Sequence, residues 1–171
     1  MNDGPIRLPR LVEADPRGSQ LIVDIARHRQ PLWQEGDVSV PVAELGSELA
    51  NALRSANHAG QLVRGLENAE RTLTAEARGL DMADQRSDVP RGVRVSRLLV
   101  LASDGSERFY RRVEALMNLH GARVLAVRLD TDAAGLGEVL YGAGGRARLL
   151  MIERKETVTQ VLLALADQWS R

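Results

Sequence analysis

The chain has 171 residues, of which 44% are hydrophobic and 3% aromatic, and it contains no cysteine. Its 23 basic and 23 acidic residues cancel, so it lacks the basic excess of proteins that hold nucleic acid over a large nonspecific surface. The absence of cysteine excludes disulfides, thiolate chemistry and cysteine-ligated zinc. No early apolar run resembles a signal peptide and no segment approaches a membrane span, so we expect a cytoplasmic protein.

The first 42 residues predict an N-terminal extension with short β-strands. Prolines interrupt residues 1–18, and the sequence Asp15-Pro16-Arg17-Gly18 is typical of a turn. The run QLIVDI at residues 20–25 predicts a strand, and residues 27–37 predict a loop. The alternating DVSVP at residues 37–41 predicts a short edge strand that ends at its proline.

From residue 43 to residue 171 the pattern predicts one α/β domain. Helices are expected at 42–57 and 66–78, with a very short strand at 61–63 between them and Gly79 as the stop. Residues 80–94 are poor in apolar side chains and predict a flexible loop.

The second half of the chain repeats a strand, a turn and a helix. Buried strands are expected at 98–102, 123–129 and 147–152, and helices at 106–120, 133–141 and 155–169. This alternation predicts a three-layer α/β/α sandwich with a mostly parallel four-stranded sheet, extended at its N-terminus.

Short motifs give little indication of catalysis. The string from Gly142 to Ala147 matches a dinucleotide fingerprint, but its glycines precede a strand instead of opening a helix. The three histidines are scattered, which argues against a metal site, and no nucleophile elbow or carboxylate pair is present. We therefore expect a protein that is not an enzyme and needs no cofactor or metal.

The turn from Ser103 to Ser106 follows a strand and precedes a helix, where backbone amides could hold a phosphate. Asp104 would oppose an anion there. Capping of the helix by Ser106 or Asp104 is therefore the favoured role. A small-ligand or nucleotide site at this turn is the weakest of three functional readings.

Several stretches fit one known family. AGQLVRG at residues 59–65 resembles that family's "AGKLVxG" entry to its second helix, and LLVLASDGS at 98–106 resembles its "LVxLAxDAS" strand and loop. The family is that of the kink-turn RNA-binding ribosomal proteins (L-seven-Ae, L-thirty-e and Gadd-forty-five), with YlxQ-type bacterial members. Residues 8–51 are similar in rhythm to a degenerate YlxR-type RNA-binding domain, which some bacteria fuse ahead of a YlxQ-type domain.

The resemblance implies a non-enzymatic RNA-binding protein associated with the ribosome or translation. In the family, RNA contacts come from the start of the second helix, the loop after the central strand and the loop before the last strand. The matching positions, with two arginines placed on phosphates, are Arg64, Gly65, Glu67, Asn68, Arg71, Ser103, Asp104, Ser106, Gly144 and Gly145.

A protein–protein interaction module is the alternative function. The family's Gly-x-Asn-Glu motif is replaced here by Glu67-Asn68, which puts an acid where an amide donor would read RNA. Zero net charge points the same way. On this reading the chain keeps the fold but has lost the RNA site, and its partner is a protein.

Overall fold

The computed structural model describes residues 5–85 and 93–171. In this part of the chain, seven α-helices and six strands occur, with a 3₁₀ turn at Gly121–Arg123. The helices are α1 (Arg10–Ala14), α2 (Gly18–Arg27), α3 (Ser47–His58), α4 (Leu66–Gln85), α5 (Glu107–His120), α6 (Ala133–Tyr141) and α7 (Lys155–Trp169). The strands are β1 (Arg29–Pro31), β2 (Ser39–Ala43), β3 (Leu62–Arg64), β4 (Arg97–Leu101), β5 (Val124–Leu129) and β6 (Leu149–Ile152).

These strands form one mixed sheet in the order β1-β2-β5-β4-β6-β3. Strands β2, β5 and β4 are parallel, whereas the pairs β1–β2, β4–β6 and β3–β6 are antiparallel. The predicted α/β class is confirmed. The sheet nevertheless differs from the mostly parallel, four-stranded sheet that we expected, because β1 and β2 join it and because β1 and β6 run opposite to the other four strands. A short apolar run indicates a strand that is buried on both faces, but it does not indicate the direction in which that strand runs.

Side chains of the central strands alternate between two hydrophobic clusters. Residues such as Leu98 and Val100 enter a cluster with helices α1, α2, α3, α6 and α7, which we call the α7 cluster. Their neighbours Leu99 and Leu101 enter a second cluster with α4 and α5, which we call the α5 cluster. This period of two is the geometric signature of a strand whose two faces are both covered.

The predicted strand at residues 20–25 is wrong, because these residues belong to helix α2. Leu21 and Ile25 lie four residues apart, and both are buried in the α7 cluster. The β-branched run favoured a strand locally, but burial of one helical stripe decides the structure. Asp24 on the same face is buried and accepts a hydrogen bond from Gln20 Nε2 at 3.1 Å.

Residues 27–37 are not entirely loop, since β1 pairs with β2 in a hairpin. The hairpin loop is held against α5 and β5. Trp33 Nε1 donates to Glu114 Oε2 at 2.9 Å, and the Arg111 guanidinium lies 4.5 Å from the Trp33 ring centroid. Arg128 donates to the Leu32 carbonyl at 3.0 Å. Because β1 takes the edge position, β2 is not the edge strand that its proline suggested.

Two helices differ in length from the prediction. Helix α3 starts at Ser47 because β2 continues to Ala43, which pairs with Leu129. Helix α4 passes through Gly79 and ends at Gln85. Residues 80–85 of the predicted loop are therefore helical, and residues 86–92 lie outside the described residues.

The N-terminal residues pack against elements distant in sequence. The Val95 N–H donates to the Arg7 carbonyl at 2.8 Å, and Arg94 contacts Glu13 at 2.8 Å. Arg17 binds both Asp15 and Asp167, and the hydrogen bonds and charge of Arg17 lower the pKa of Asp15 to about 2. The division of the chain at residue 42 stays a prediction.

A partly buried ion cluster joins α4 to the starts of β4 and β5. Both Glu76 carboxylate oxygens accept from Arg97 Nε at 3.0 Å, and one also accepts from Arg123 at 2.9 Å. Arg123 donates further to the Leu73 carbonyl at 3.2 Å. His120 lies beside this cluster, and its buried Nε2 has no hydrogen-bond partner among the described residues. Burial, followed by the positive charge of Arg123, lowers the pKa of His120.

We expect His120 to make the fold less stable in mild acid. Its folded pKa lies below the unfolded value of about 6.5, so the unfolded state takes up the proton first as the pH falls. Its contribution to the free energy of unfolding is therefore complete above about pH 6.5 and is lost as the pH falls through the lowered folded pKa. Urea unfolding at about pH 7.5 and 5.5 should show a smaller loss in His120→Gln than in the parent chain. Equal losses in the two proteins would contradict the assignment.

Candidate nucleic-acid interface

One end of the sheet collects most of its loops and helix starts. Strands β2, β3, β4 and β5 all finish there and β6 begins there, as the pairs Leu101–Leu149 and Arg64–Leu150 demonstrate. Helices α3, α4, α5 and α6 each begin just after one of these strands. We call this end the carboxyl edge. In open α/β sheets, ligands usually bind outside the carboxyl ends of the parallel strands.

The three segments predicted to contact RNA meet at the carboxyl edge. The Gly65 N–H donates to the Leu149 carbonyl at 2.9 Å, and Arg64 donates to the Arg146 carbonyl. Asp104 Oδ1 lies 3.6 Å from Arg148 Nε. The start of α4, the turn after β4 and the segment before β6 are therefore adjacent, although up to about 80 residues separate them along the chain.

Gly65 turns the chain from β3 into α4. Its φ of +92° lies in the left-handed region that favours glycine, and its carbonyl accepts from the Ala69 N–H at 3.1 Å. Asn68 Nδ2 donates back to the Arg64 carbonyl at 2.9 Å, so this amide supports the turn. Glu67 is exposed in the first turn of α4 and Arg71 is exposed one turn later.

The turn after β4 satisfies its polar groups within the protein. Ser103 donates twice to the Thr131 carbonyl, from its N–H at 2.8 Å and from its hydroxyl at 2.9 Å. Ser106 Oγ accepts from the Phe109 N–H at 3.1 Å, so the predicted cap of α5 is confirmed. Asp104 Oδ1 accepts from the Ala133 N–H, the first amide of α6, at 3.0 Å, while Asp132 caps this helix. The amide groups that could have cradled a phosphate are thus partly engaged.

The Tyr110 side chain holds the backbone of this turn in place, a role that the sequence did not predict. Its buried hydroxyl donates to the Ala102 carbonyl at 2.7 Å and accepts from the Gly105 N–H at 3.1 Å. A tyrosine within an amphipathic helix gives no sign that its hydroxyl reaches the preceding turn. The result is a rigid Ser103–Ser106 turn that can present its outer surface in one conformation.

The segment before β6 is an exposed glycine-rich loop. Gly142 and Gly144 both have φ of +83°, and the Gly145 N–H donates to the Gly142 carbonyl at 3.0 Å. Gly137 of α6 contacts the loop so closely that a Cβ there would overlap the backbone of Gly145 and Arg146. The predicted residues Gly144 and Gly145 therefore lie at a surface where a ligand can approach the backbone directly.

Arginines and one aromatic ring surround this loop. The Arg64 guanidinium lies 4.4 Å from the ring centroid of Tyr141, which is 37% exposed. Arg146 is exposed, and Arg148 is half-buried beside Asp104, where its Nε has no partner at hydrogen-bond distance among the described residues. The sequence analysis missed Tyr141, Arg146 and Arg148. The alternating arginines just before a buried strand were the signal that could have identified two of them.

Two further observations concern the described part of the chain. Across residues 5–85 and 93–171, no three histidine or acidic side chains lie close enough together to hold a metal ion. None of the helices in the same ranges has both the length and the apolar character needed to cross a membrane.

Comparison with known proteins yields a likeness to a solved structure. No family model matches the sequence, and no curated protein matches it. Among solved structures, the chain is similar to a protein of unknown function from Bacillus halodurans C, with 18% identity and a TM-score of 0.46. The match covers 71% of this chain and 99% of that one.

Proposed function

We propose that this chain is a non-enzymatic RNA-binding protein that acts in the cytoplasm in connection with ribosomes or translation. The proposal is supported by the position of the three candidate segments, which lie side by side at the carboxyl edge. There the Arg64 guanidinium donates to the Arg146 backbone carbonyl. We also propose that the fold is a three-layer α/β/α sandwich, because the α7 and α5 clusters lie on opposite faces of the central strands.

The charges and shapes at the carboxyl edge suit a nucleic-acid backbone. Arg64 and Arg146 are exposed beside the glycine-rich loop, and arginine side chains supply phosphate contacts in most such complexes. Gly144 carries no side chain that would keep a phosphate from the backbone of this loop, whereas the Gly142 N–H already donates to the Glu138 carbonyl at 3.0 Å. Tyr141 offers a flat ring for a base, since stacking on aromatic side chains is common in single-stranded recognition.

Acidic residues limit where RNA can lie. Glu67 and Asp104 are exposed at the start of α4 and in the turn after β4. Asp104 already accepts from the first amide of α6 and faces Arg148, so its charge is partly compensated. Glu67 lies in the first turn of α4, where its carboxylate would repel a phosphate. We therefore place the RNA backbone over Arg64 and the loop 142–146, and not over the start of α4.

We expect the double variant Arg64→Ala with Arg146→Ala to bind kink-turn or bulk ribosomal RNA about tenfold more weakly than the parent chain. Each lost phosphate contact should also reduce the slope of log affinity against log salt by about 0.7. The measurement is a binding titration of labelled RNA at several concentrations between about 50 and 200 mM salt.

The matched control removes the same charge at the other end of the sheet, where Arg154 and Lys155 are exposed at the start of α7. Arg154→Ala with Lys155→Ala should leave affinity and salt slope nearly unchanged. Equal losses in the two variants would contradict this placement of the site. An absence of salt-sensitive RNA affinity in the parent chain would refute the proposed function.

A protein–protein interaction module is the second candidate, and one exposed side chain favours it. Leu119 on α5 is 74% exposed beside a shallow groove that Leu116 and Thr74 also line. A partner recovered after nuclease treatment by the parent chain but not by Leu119→Glu would support this function. Recovery that disappears with nuclease would favour the RNA proposal. The third reading, a nucleotide site at the Ser103–Ser106 turn, loses support because Ser106 and Asp104 occupy the helix starts there.

A further inference from the structure

The turn after β4 contains Asp104 followed directly by Gly105, and the sequence has one further Asp-Gly pair, at residues 3 and 4. An aspartate followed by glycine isomerises readily, because glycine has no side chain to shield its backbone nitrogen or to restrict its backbone. That nitrogen attacks the aspartate carboxyl group and closes a succinimide ring. The candidate interface therefore contains a reactive pair of residues.

The isomerisation conserves mass and uses only water. The Gly105 nitrogen forms a bond to Asp104 Cγ, and one carboxyl oxygen leaves as water together with the carboxyl proton and the N–H proton. Water then opens the ring at the former backbone carbonyl carbon of Asp104. In the product, isoaspartate, the chain runs through Asp104 Cβ and Cγ, and the free carboxylate is attached to Cα.

The structure engages the nitrogen that must attack. The Gly105 N–H donates to the Tyr110 hydroxyl at 3.1 Å, and this hydroxyl donates to the Ala102 carbonyl at 2.7 Å. Because the attack removes the N–H proton, it also removes the first of these hydrogen bonds. Tyr110 is only 6% exposed, so water does not readily supply a replacement acceptor while the turn is closed.

The carboxyl group that must be attacked is also engaged. Asp104 Oδ1 accepts from the Ala133 N–H at 3.0 Å and lies 3.6 Å from Arg148 Nε. These partners belong to two other segments of the chain, and they hold the side chain in one position. Both reacting groups of the pair are therefore held by contacts that the reaction has to break.

The packing of the turn explains why the reactive pair contains a glycine. A Cβ on Gly105 would lie 2.5 Å from Phe109 Cδ1 and 3.0 Å from Tyr110 Cζ. The two rings pack edge to face at 5.2 Å, and the Arg128 guanidinium lies 5.8 Å from the Tyr110 centroid. A larger residue at position 105 would therefore displace rings that other contacts hold in place.

We propose that Asp104–Gly105 is a site of isoaspartate formation and that the Tyr110 hydroxyl suppresses this modification in the folded protein. Isoaspartate would lengthen the backbone of the turn and displace the carboxylate that Ala133 contacts, so the modification would alter the candidate interface. The inference goes beyond the proposed function and does not depend on RNA binding.

The variant Tyr110→Phe tests the protection, because it keeps the ring and removes only the hydroxyl. Both proteins are incubated at neutral pH, and isoaspartate at residue 104 is measured over time by peptide mapping with electron-transfer fragmentation, which separates it from aspartate of equal mass. We expect isoaspartate to form about three- to tenfold faster in Tyr110→Phe, as the loss of one such hydrogen bond would give. Equal rates in the two folded proteins would overturn the proposal.

The variant Val113→Ala separates the role of the hydroxyl from a general loss of stability. Val113 is buried in the α5 cluster on the same helix, so its truncation weakens the fold and leaves the Tyr110 hydroxyl in place. Isoaspartate should form in this variant at nearly the parent rate. An increase as large as that in Tyr110→Phe would overturn the assignment to the hydroxyl.

Unfolding the parent chain in urea measures the reactivity of the pair without its contacts. Isoaspartate at residue 104 should then form faster than in the folded parent, and at one rate in all three proteins. A parent rate that is the same with and without urea would overturn the protection, whether or not Tyr110→Phe folds. The Asp-Gly pair at residues 3 and 4, which lies outside the described residues, is present in every sample and corrects for differences in handling.

Discussion

Replacing Glu76 with alanine should lower the free energy of unfolding by about 2 to 3 kcal/mol. The substitution leaves Arg97 and Arg123 close together without the carboxylate that now binds both. Their side chains are 18% and 11% exposed, so water can replace only part of the lost interaction. The expected loss stays below that of a fully buried ion pair because Glu76 itself is 23% exposed.

Urea unfolding followed by circular dichroism measures this loss, and two further proteins make it specific. Glu67→Ala removes an exposed glutamate from the same helix and should change stability by less than about 0.5 kcal/mol. In a background where Arg97 and Arg123 are both methionine, Glu76→Ala should cost much less than in the parent chain. A cost that is the same in both backgrounds would mean that Glu76 stabilises the fold by other contacts.

Replacing Gly137 with alanine should be about as damaging, with an expected loss of about 2 to 3 kcal/mol. The added Cβ would overlap the Arg146 backbone nitrogen and Cα and the Gly145 carbonyl carbon, and none of these backbone atoms can rotate away as a side chain could. The loop before β6 must therefore shift away from α6. Since Arg146 belongs to that loop, RNA affinity should fall in the same variant if the proposed function is correct.

Gly79→Ala provides a control, because it should change the free energy of unfolding in the opposite direction. Gly79 lies inside α4, and a Cβ there would meet open space. Alanine should raise the free energy of unfolding by up to about 1 kcal/mol because it favours the helix. Thermal unfolding of the two variants beside the parent chain checks both signs, and a neutral Gly137→Ala would contradict the close contact.

The sequence correctly predicted those elements whose ends are marked by local turn and capping residues. The strand and helix around Ser103 and Ser106 were found because an apolar run, a polar turn and a capping serine follow one another directly. Residues 20–25 were misread because a β-branched run can also bury one stripe of a helix. Helix α4 was cut short at Gly79 because glycine commonly ends a helix, whereas here the helix continues through it to Gln85.

Individual residues of the candidate site could be predicted from the sequence, but their arrangement in space could not. Gly65 and Gly144 were identified as loop residues through a resemblance, and both have the positive φ that requires glycine. The link between Arg64 and Arg146 depends on β3 pairing with β6, and sequence pattern does not specify which strands are neighbours. Tyr141 was missed for the same reason, because it becomes relevant only when Arg64 lies against its ring.

The contacts of α7 delay the final packing of the N-terminal helices until the end of the chain has been synthesised. Arg17 binds Asp167, 150 residues later, and Leu21 shares the α7 cluster with Leu165. Until α7 has been synthesised, helices α1 to α3 therefore lack the part of this cluster that α7 supplies. During that interval the nascent chain exposes Leu21 and Ile25 to chaperones and proteases. If the ribosome pauses before residue 155, the N-terminal half should therefore remain for longer without the packing that α7 provides.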